Sequence, residues 1–221
     1  MNGIGQLNEG ELHRALKRMY TTENSDTEVS IDGYVVDVLY GDQIYEVQTA
    51  NFSAMKKKLY ALLPNYRITL VYPIARLLTI VKKHPDGTET RRKSPKKANL
   101  AEVFSELVFI PKLLEHPNFT LEVVYIHEEQ ERVTQRRLRK RWSRDARRLV
   151  EVLQTQRFRD MRQLFSEIAG NLPDPFSTKD LAVALGTTVH VGRKVAYCFR
   201  ESDVIHVCRK QRNLPLYCLT E

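Results

Sequence analysis

The sequence predicts an α/β fold with a mixed sheet, followed by a smaller unit of three helices and a β-hairpin. Three observations predict it. In the first half, short runs rich in Val, Ile and Tyr alternate with stretches of helical period. Two-residue turn signals, Asp32-Gly33 and Gly41-Asp42, separate the first of those runs. After residue 157 the alternation stops, and apolar helix stripes lead into two strand runs around a polar loop.

Asn8 can cap a helix with Glu11 three residues on. Leu12, Ala15, Leu16 and Met19 carry that helix to about Tyr20, and the polar residues 21–26 form a loop. Strands follow over 28–31, 34–40 and 43–48, the last two joined by Gly41-Asp42 as a type II′ turn. Met55, Leu59, Leu62 and Leu63 mark a helix over 52–63, which Pro64-Asn65 stops. The apolar run 67–72 suits a buried strand. Residues 77–81 and a stretch around Arg91 flank Pro85-Asp86-Gly87, predicting a second hairpin with basic arms as an insertion over about 76–97. A helix over 100–114 and a strand over 121–126 complete this part.

In the tail, Phe158, Met161, Leu164, Phe165 and Ile168 form one helix stripe. Ser177 or Thr178 caps a second helix over 179–185, closed by Gly186, and a third spans 189–200. Strands over 204–207 and 216–219 bracket the polar loop 209–213. Three helices and a hairpin in this order resemble a winged-helix domain, its middle pair a helix-turn-helix. The predicted division is a first domain over 1–131, a basic linker or helix over 132–148, and a winged-helix-like domain over 149–221.

With 42% hydrophobic and 28% charged residues the chain reads as an ordinary soluble protein. No apolar run reaches the roughly 18 to 20 residues that a membrane span needs, so no membrane partner is expected. Residues 1–13 lack the pattern of a secretory signal, which makes a cytoplasmic location the expectation. Cys198, Cys208 and Cys218 form no CxxC pair. They are expected as thiols packed in or near a small core, with a zinc site as the alternative. The net charge of +8 points toward a polyanion. Nine Lys or Arg fall in 132–148 against one acidic residue, and seven fall in 82–97.

The hairpin over 34–48 carries the candidate chemistry. With Gly41-Asp42 as its loop, Tyr40 faces Gln43 and facing residues sum to 83, so Asp37 faces Glu46 and Val35 faces Gln48. Facing Cβ atoms lie roughly 4.5 to 5.5 Å apart, where like charges repel. A cation between the carboxylates relieves that repulsion, and Mg²⁺ with its oxygen ligands suits it. A neighbouring Lys or Arg would relieve it too. Glu46 and Gln48 share one face of their strand with Ile44, at the edge of an apolar surface where carboxylate pKa values are perturbed.

The order helix, three strands, helix, strand, with Asp37, eight residues, then Glu46-Val47-Gln48, resembles the PD-(D/E)XK nuclease superfamily with its restriction-endonuclease-like core. The resemblance covers residues 8 to 72. It implies a Mg²⁺- or Mn²⁺-dependent DNA endonuclease in which Asp37 and Glu46 are metal ligands, with the Val47 carbonyl as a third and Glu11 completing the set. Gln48 stands where the family usually has a lysine, a substitution some restriction enzymes share; Lys56 or Lys57 is the expected replacement or a phosphate contact. Double-stranded DNA is the implied partner, and a homodimer is left open. The expected DNA-binding residues are Lys56 and Lys57, Lys82, Lys83, Arg91 and Arg92, the cluster Arg136, Arg137, Arg139, Lys140 and Arg141, and in the tail Arg193, Lys194, Arg209, Lys210 and Arg212. The alternative is a non-catalytic DNA-binding or regulatory protein on a degenerate nuclease scaffold, which Gln48 favours.

Overall fold

The computed structural model describes residues 10–84, 86–95, 97–134 and 142–220. Helix α1 (Glu11–Arg18) is followed by strands β1 (Asp26–Ile31), β2 (Tyr34–Tyr40) and β3 (Gln43–Val47), then helix α2 (Phe52–Leu62) and strand β4 (Arg67–Lys83). Asn8 lies outside the described residues, and α1 starts from Gly10 without a side-chain cap. The β1–β2 turn places Asp32 at φ 48° and Gly33 at φ 80°. The β2–β3 turn has Gly41 at φ 60°, the first position of a type II′ turn. Recorded β2–β3 pairs are Val38 with Tyr45, Leu39 with Ile44 and Tyr40 with Gln43, each summing to the expected 83.

β3 and β4 are parallel, with α2 as the crossover between them. β4 then runs on far past the predicted 67–72, and its distal half pairs with β5 (Glu89–Lys93). The predicted helix over 100–114 is broken: 3₁₀ turns at Leu100–Val103 and Leu113–Glu115 flank the single-turn α3 (Phe104–Leu107). Strand β6 (Phe119–Thr134) lies parallel to β4, and β7 (Trp142–Phe158) returns antiparallel to β6. The sheet order is β1-β2-β3-β4-β6-β7, with β5 on the distal part of β4. The fold is therefore α/β with a mixed sheet.

One expectation is corrected. The basic stretch 132–148 is neither a linker nor a helix where it is described, because 142–148 belongs to β7 and pairs with β6. The domain boundary at 131 therefore divides a hairpin. Within that stretch Arg147 is taken by Glu128 of β6, while Glu129 and Glu131 of the same strand pair with Arg91 and Lys83 of the other basic run.

Both faces of the sheet are covered, which is why its central strands read as apolar runs. Leu12 and Leu16 of α1 pack on Val47, Val71, Val124 and Ile126. On the opposite face Phe52, Leu59 and Leu62 of α2 and Phe104 and Leu107 of α3 pack on Ile44, Leu70, Phe119, Leu121 and Val123. That second core continues into the tail, formed by α4 (Met161–Ser166), α5 (Thr178–Ala184), α6 (Val189–Glu201) and the hairpin β8 (Ile205–Gln211) and β9 (Leu214–Leu219). Phe199 of α6 meets Phe104 at 5.3 Å and Phe165 at 5.1 Å, both edge-on. Asn99 donates to the Leu185 carbonyl, and Ser202 donates to the Pro111 carbonyl. The tail is thus fused to the sheet layer by packing. Among the described residues no helix is long and apolar enough to cross a membrane.

α5 starts with a capping box between Ser177 and Asp180. It crosses α6 at Gly192, where an added Cβ would lie 2.4 Å from the Thr178 carbonyl oxygen. That clash outweighs the helix propensity Ala would add. We expect Gly192→Ala to lower stability by about 1–2 kcal/mol in urea unfolding, and an unchanged midpoint would refute the close crossing.

Candidate functional site

The β2–β3 ladder ends where the two carboxylates begin. One step beyond the Val38–Tyr45 pair, Asp37 and Glu46 replace backbone pairing with side-chain pairing. The Asp37 N–H donates to Glu46 Oε1 at 3.2 Å, and the Val47 N–H donates to Asp37 Oδ2 at 2.8 Å. On the other side of β2, Glu28 falls opposite Asp37 between the Thr27–Val38 and Val29–Val36 pairs and sits at φ 58°. A non-glycine residue held there is uncommon and strained. Lys17 of α1 pairs with Glu28 at 2.5 Å. The β2–β3 ladder thus stops short of Asp37, and its carboxylate takes the Val47 N–H in place of a backbone partner.

Two cationic or cationisable groups reach the pair, one from each face. Lys58 of α2 donates its ammonium to Glu46 Oε1 and to the Val35 carbonyl. His13 of α1 lies 3.1 Å from Asp37 Oδ2 through Nε2. Glu46 is 2% exposed and Lys58 12%, so this is a buried ion pair, while Asp37 at 17% lies nearer solvent. α2 holds Lys58 in place with help from far along the chain. Its N-cap residue, Asn51, makes no side-chain cap, and Glu106 of α3 accepts the Phe52 N–H at 2.9 Å instead.

Burial and the nearby Asp37 push the Glu46 carboxyl up to about 7, against the pull of Lys58. Burial acts the same way on Asp37, but the hydrogen bond and charge of His13, the Val47 amide and Lys58 outweigh it and hold that carboxyl below its ordinary 3.8. The consequences for stability have opposite signs. Between its ordinary 4.5 and about 7, Glu46 binds more protons folded than unfolded, so stability falls as pH rises through that window. Asp37 contributes stability above 3.8 that is lost as pH falls through its lowered folded value. We expect Glu46→Gln to flatten the decline between pH 4.5 and 7 measured by chemical denaturation; a decline as steep as the wild type's would contradict the Glu46 assignment.

The predicted site residues divide. The structure brings Asp37 and Glu46 together. Val47 joins them through its N–H. Gln48 shares the Glu46 face but leans on α2, its Nε2 3.2 Å from Met55 Sδ, and its backbone N–H donates to Val71. Glu11 is turned away: half exposed, it pairs with Arg148 of β7 at 3.0 Å. The α1 residue at the site is His13. Lys56 and Lys57 are exposed, and Lys58 is the lysine that arrives. Helical phase carries the signal for both missed residues. Lys58 borders the buried positions Leu59 and Leu62, and His13 sits beside Leu12 and Leu16.

The expected DNA-binding positions also divide. Lys83 pairs with Glu131 at 2.6 Å and Arg91 with Glu129 at 3.1 Å, so part of the distal basic surface is internally neutralised. Lys82 is half-buried and Arg92 exposed. Arg136, Arg137, Arg139, Lys140 and Arg141 lie outside the described residues. On the tail, Arg193, Arg209, Lys210 and Arg212 are exposed and Lys194 is half-buried.

Among the described residues no group of three or more His, Cys, Asp or Glu is arranged to hold a metal ion. The Asp37–Glu46 pair supplies two hard oxygen donors, which fits Mg²⁺ or Mn²⁺ because Mg²⁺ keeps several waters and binds through one or two carboxylates.

The family model described as Domain of unknown function (DUF8091) matches residues 10–159, from the start of α1 to the end of β7. An uncharacterized protein of Treponema pallidum (strain Nichols) is 36% identical over 192 residues, covering 85% of this chain and 76% of that protein. No solved structure matches the chain.

Proposed function

The chain belongs to the DUF8091 family, and we propose that it is a metal-dependent DNA endonuclease of the PD-(D/E)XK type. The observation that carries this reading is the Asp37–Glu46 pair just past the end of the β2–β3 ladder, with the Lys58 ammonium brought to it by α2. The order α1, β1–β3, α2, β4 supports it.

Asp37 and Glu46 would hold Mg²⁺ or Mn²⁺, which lowers the pKa of bound water and polarises a phosphate oxygen. Asp37, kept ionised by His13 and the Val47 amide, is the donor ready at neutral pH. Glu46 is ready once its proton has left, so metal affinity should rise with pH up to about 7 and then level off. Lys58 supplies the ammonium that Gln48 lacks and would stabilise charge developing on the phosphate. His13, in place of Glu11, orients the Asp37 carboxylate from the α1 side. The α5–α6 pair and the β8–β9 hairpin, read as a winged helix, would position duplex DNA through Arg193, Lys194, Arg209, Lys210 and Arg212.

The test is cleavage of plasmid, linear, branched and single-stranded DNA with Mg²⁺ or Mn²⁺. Cleavage abolished in Asp37→Asn and Glu46→Gln supports the reading; cleavage unchanged in both overturns it. A second reading, a non-cleaving DNA-binding protein on a retired scaffold, is favoured by one observation. The carboxylates already have protein partners in His13 and Lys58, and Gln48 leans on Met55. Duplex binding with no cleavage under any of these conditions would select it.

A further inference from the structure

Cys208 and Cys218 are joined as a disulfide across the β8–β9 hairpin, with Cα atoms 5.7 Å apart. The pairing slips between Val207 and Arg209, so Cys208 is the extra residue of a bulge, and His206 faces Cys218. The bond therefore fastens the irregular point of β8 to β9. Every β8 residue after Ile205 is exposed, Cys208 included, and Arg209 and Lys210 follow directly. A two-stranded hairpin is marginal alone, and here a covalent tie crosses it beside its basic tip. Cys198 stands apart: it is buried in α6, and burial pushes its thiol up to about 12.

We propose that Cys208 and Cys218 form a reversible thiol–disulfide modification site. A low-molecular-weight disulfide or thiol sets the order of the β8–β9 hairpin and, resting on the nucleic-acid reading above, its grip on DNA. Exposed disulfides of this sort are the exchangeable ones. In the oxidising direction one cysteine thiolate attacks the small disulfide and releases a thiolate. The second cysteine then attacks the mixed disulfide, forming the Sγ–Sγ bond and releasing the other. The two protein thiol protons end on the two small thiols, and the protein pair is oxidised as the small disulfide is reduced. Oxidation fixes the bulge, and reduction frees Arg209 and Lys210 to move with an untied strand.

The full chain would be equilibrated across glutathione and glutathione-disulfide buffers and read three ways. Differential alkylation with mass spectrometry should show Cys208 and Cys218 changing state together, with Cys198 resistant to native alkylation. Amide exchange over 206–218 should slow by about tenfold on oxidation. Affinity for a labelled duplex at fixed salt should change by about threefold or more. Cys208→Ser should hold amide exchange and duplex affinity at their reduced values in every buffer. Absence of the bond at every ratio, equal exchange in the two forms, or thiols held by zinc until a chelator is added would overturn the site. If exchange changes but neither form binds duplex, the clip stands and the DNA role of the hairpin falls.

Discussion

A Lys58→Met variant is expected to lose about 1 kcal/mol of stability near pH 5 and about 3 kcal/mol near pH 8.5. The dependence on pH follows from what Lys58 touches. Its contact with the Val35 carbonyl is lost at every pH. Its contact with Glu46 is far stronger when that carboxyl is ionised, which burial postpones to about 7. Above that value the wild type holds a buried pair, while the variant must leave a charge unpaired or keep a proton on Glu46. Denaturant melts across the pH range read the difference directly, and a pH-independent loss would contradict the pairing. For the proposed chemistry the same variant should cut DNA roughly 10²- to 10³-fold more slowly, the usual cost of removing one preorganised charge-stabilising donor.

Phe199→Ala is expected to cost about 3–5 kcal/mol, as large-to-small changes at filled aromatic sites do. The ring is fully buried and sits edge-on to both Phe104 of the sheet layer and Phe165 of the tail. It is therefore a hinge-pin of one shared core, and the wild type should unfold in a single transition followed equally by probes in either part. Separate transitions in the wild type, or a loss under about 1 kcal/mol in the variant, would show that the tail is merely tethered.

Much of the candidate site was legible in the sequence because local rules set it. A glycine at the first turn position chose the hairpin type, and the turn fixed the register that sets Asp37 opposite Glu46, one step past the Val38–Tyr45 pair. Alternation then placed Glu46 with Ile44 on the α2 side. What was not legible depends on tertiary partners. Nothing local says that Arg148 will take Glu11, or that Glu106, far along the chain, will cap α2. The expected lysine, Lys56 or Lys57, falls short of the one that helical phase turns toward the core, Lys58. The strand character of 142–148 is set by its pairing with β6, where Glu128 takes Arg147, and no local signal in a run of like charges announces that partner. Cysteine spacing left Cys208 and Cys218 as thiols because the bulge at Cys208 has no signature in the sequence.

The proposed nuclease chemistry requires Asp37 and Glu46 to hold a divalent cation together. Calorimetric titration of Mn²⁺ into the wild type, Asp37→Asn and Glu46→Gln at a pH above 7 tests it most directly. Saturable binding is expected in the wild type and is lost in both variants while their circular dichroism stays native. No binding by the wild type, or equal binding by all three proteins, would contradict it.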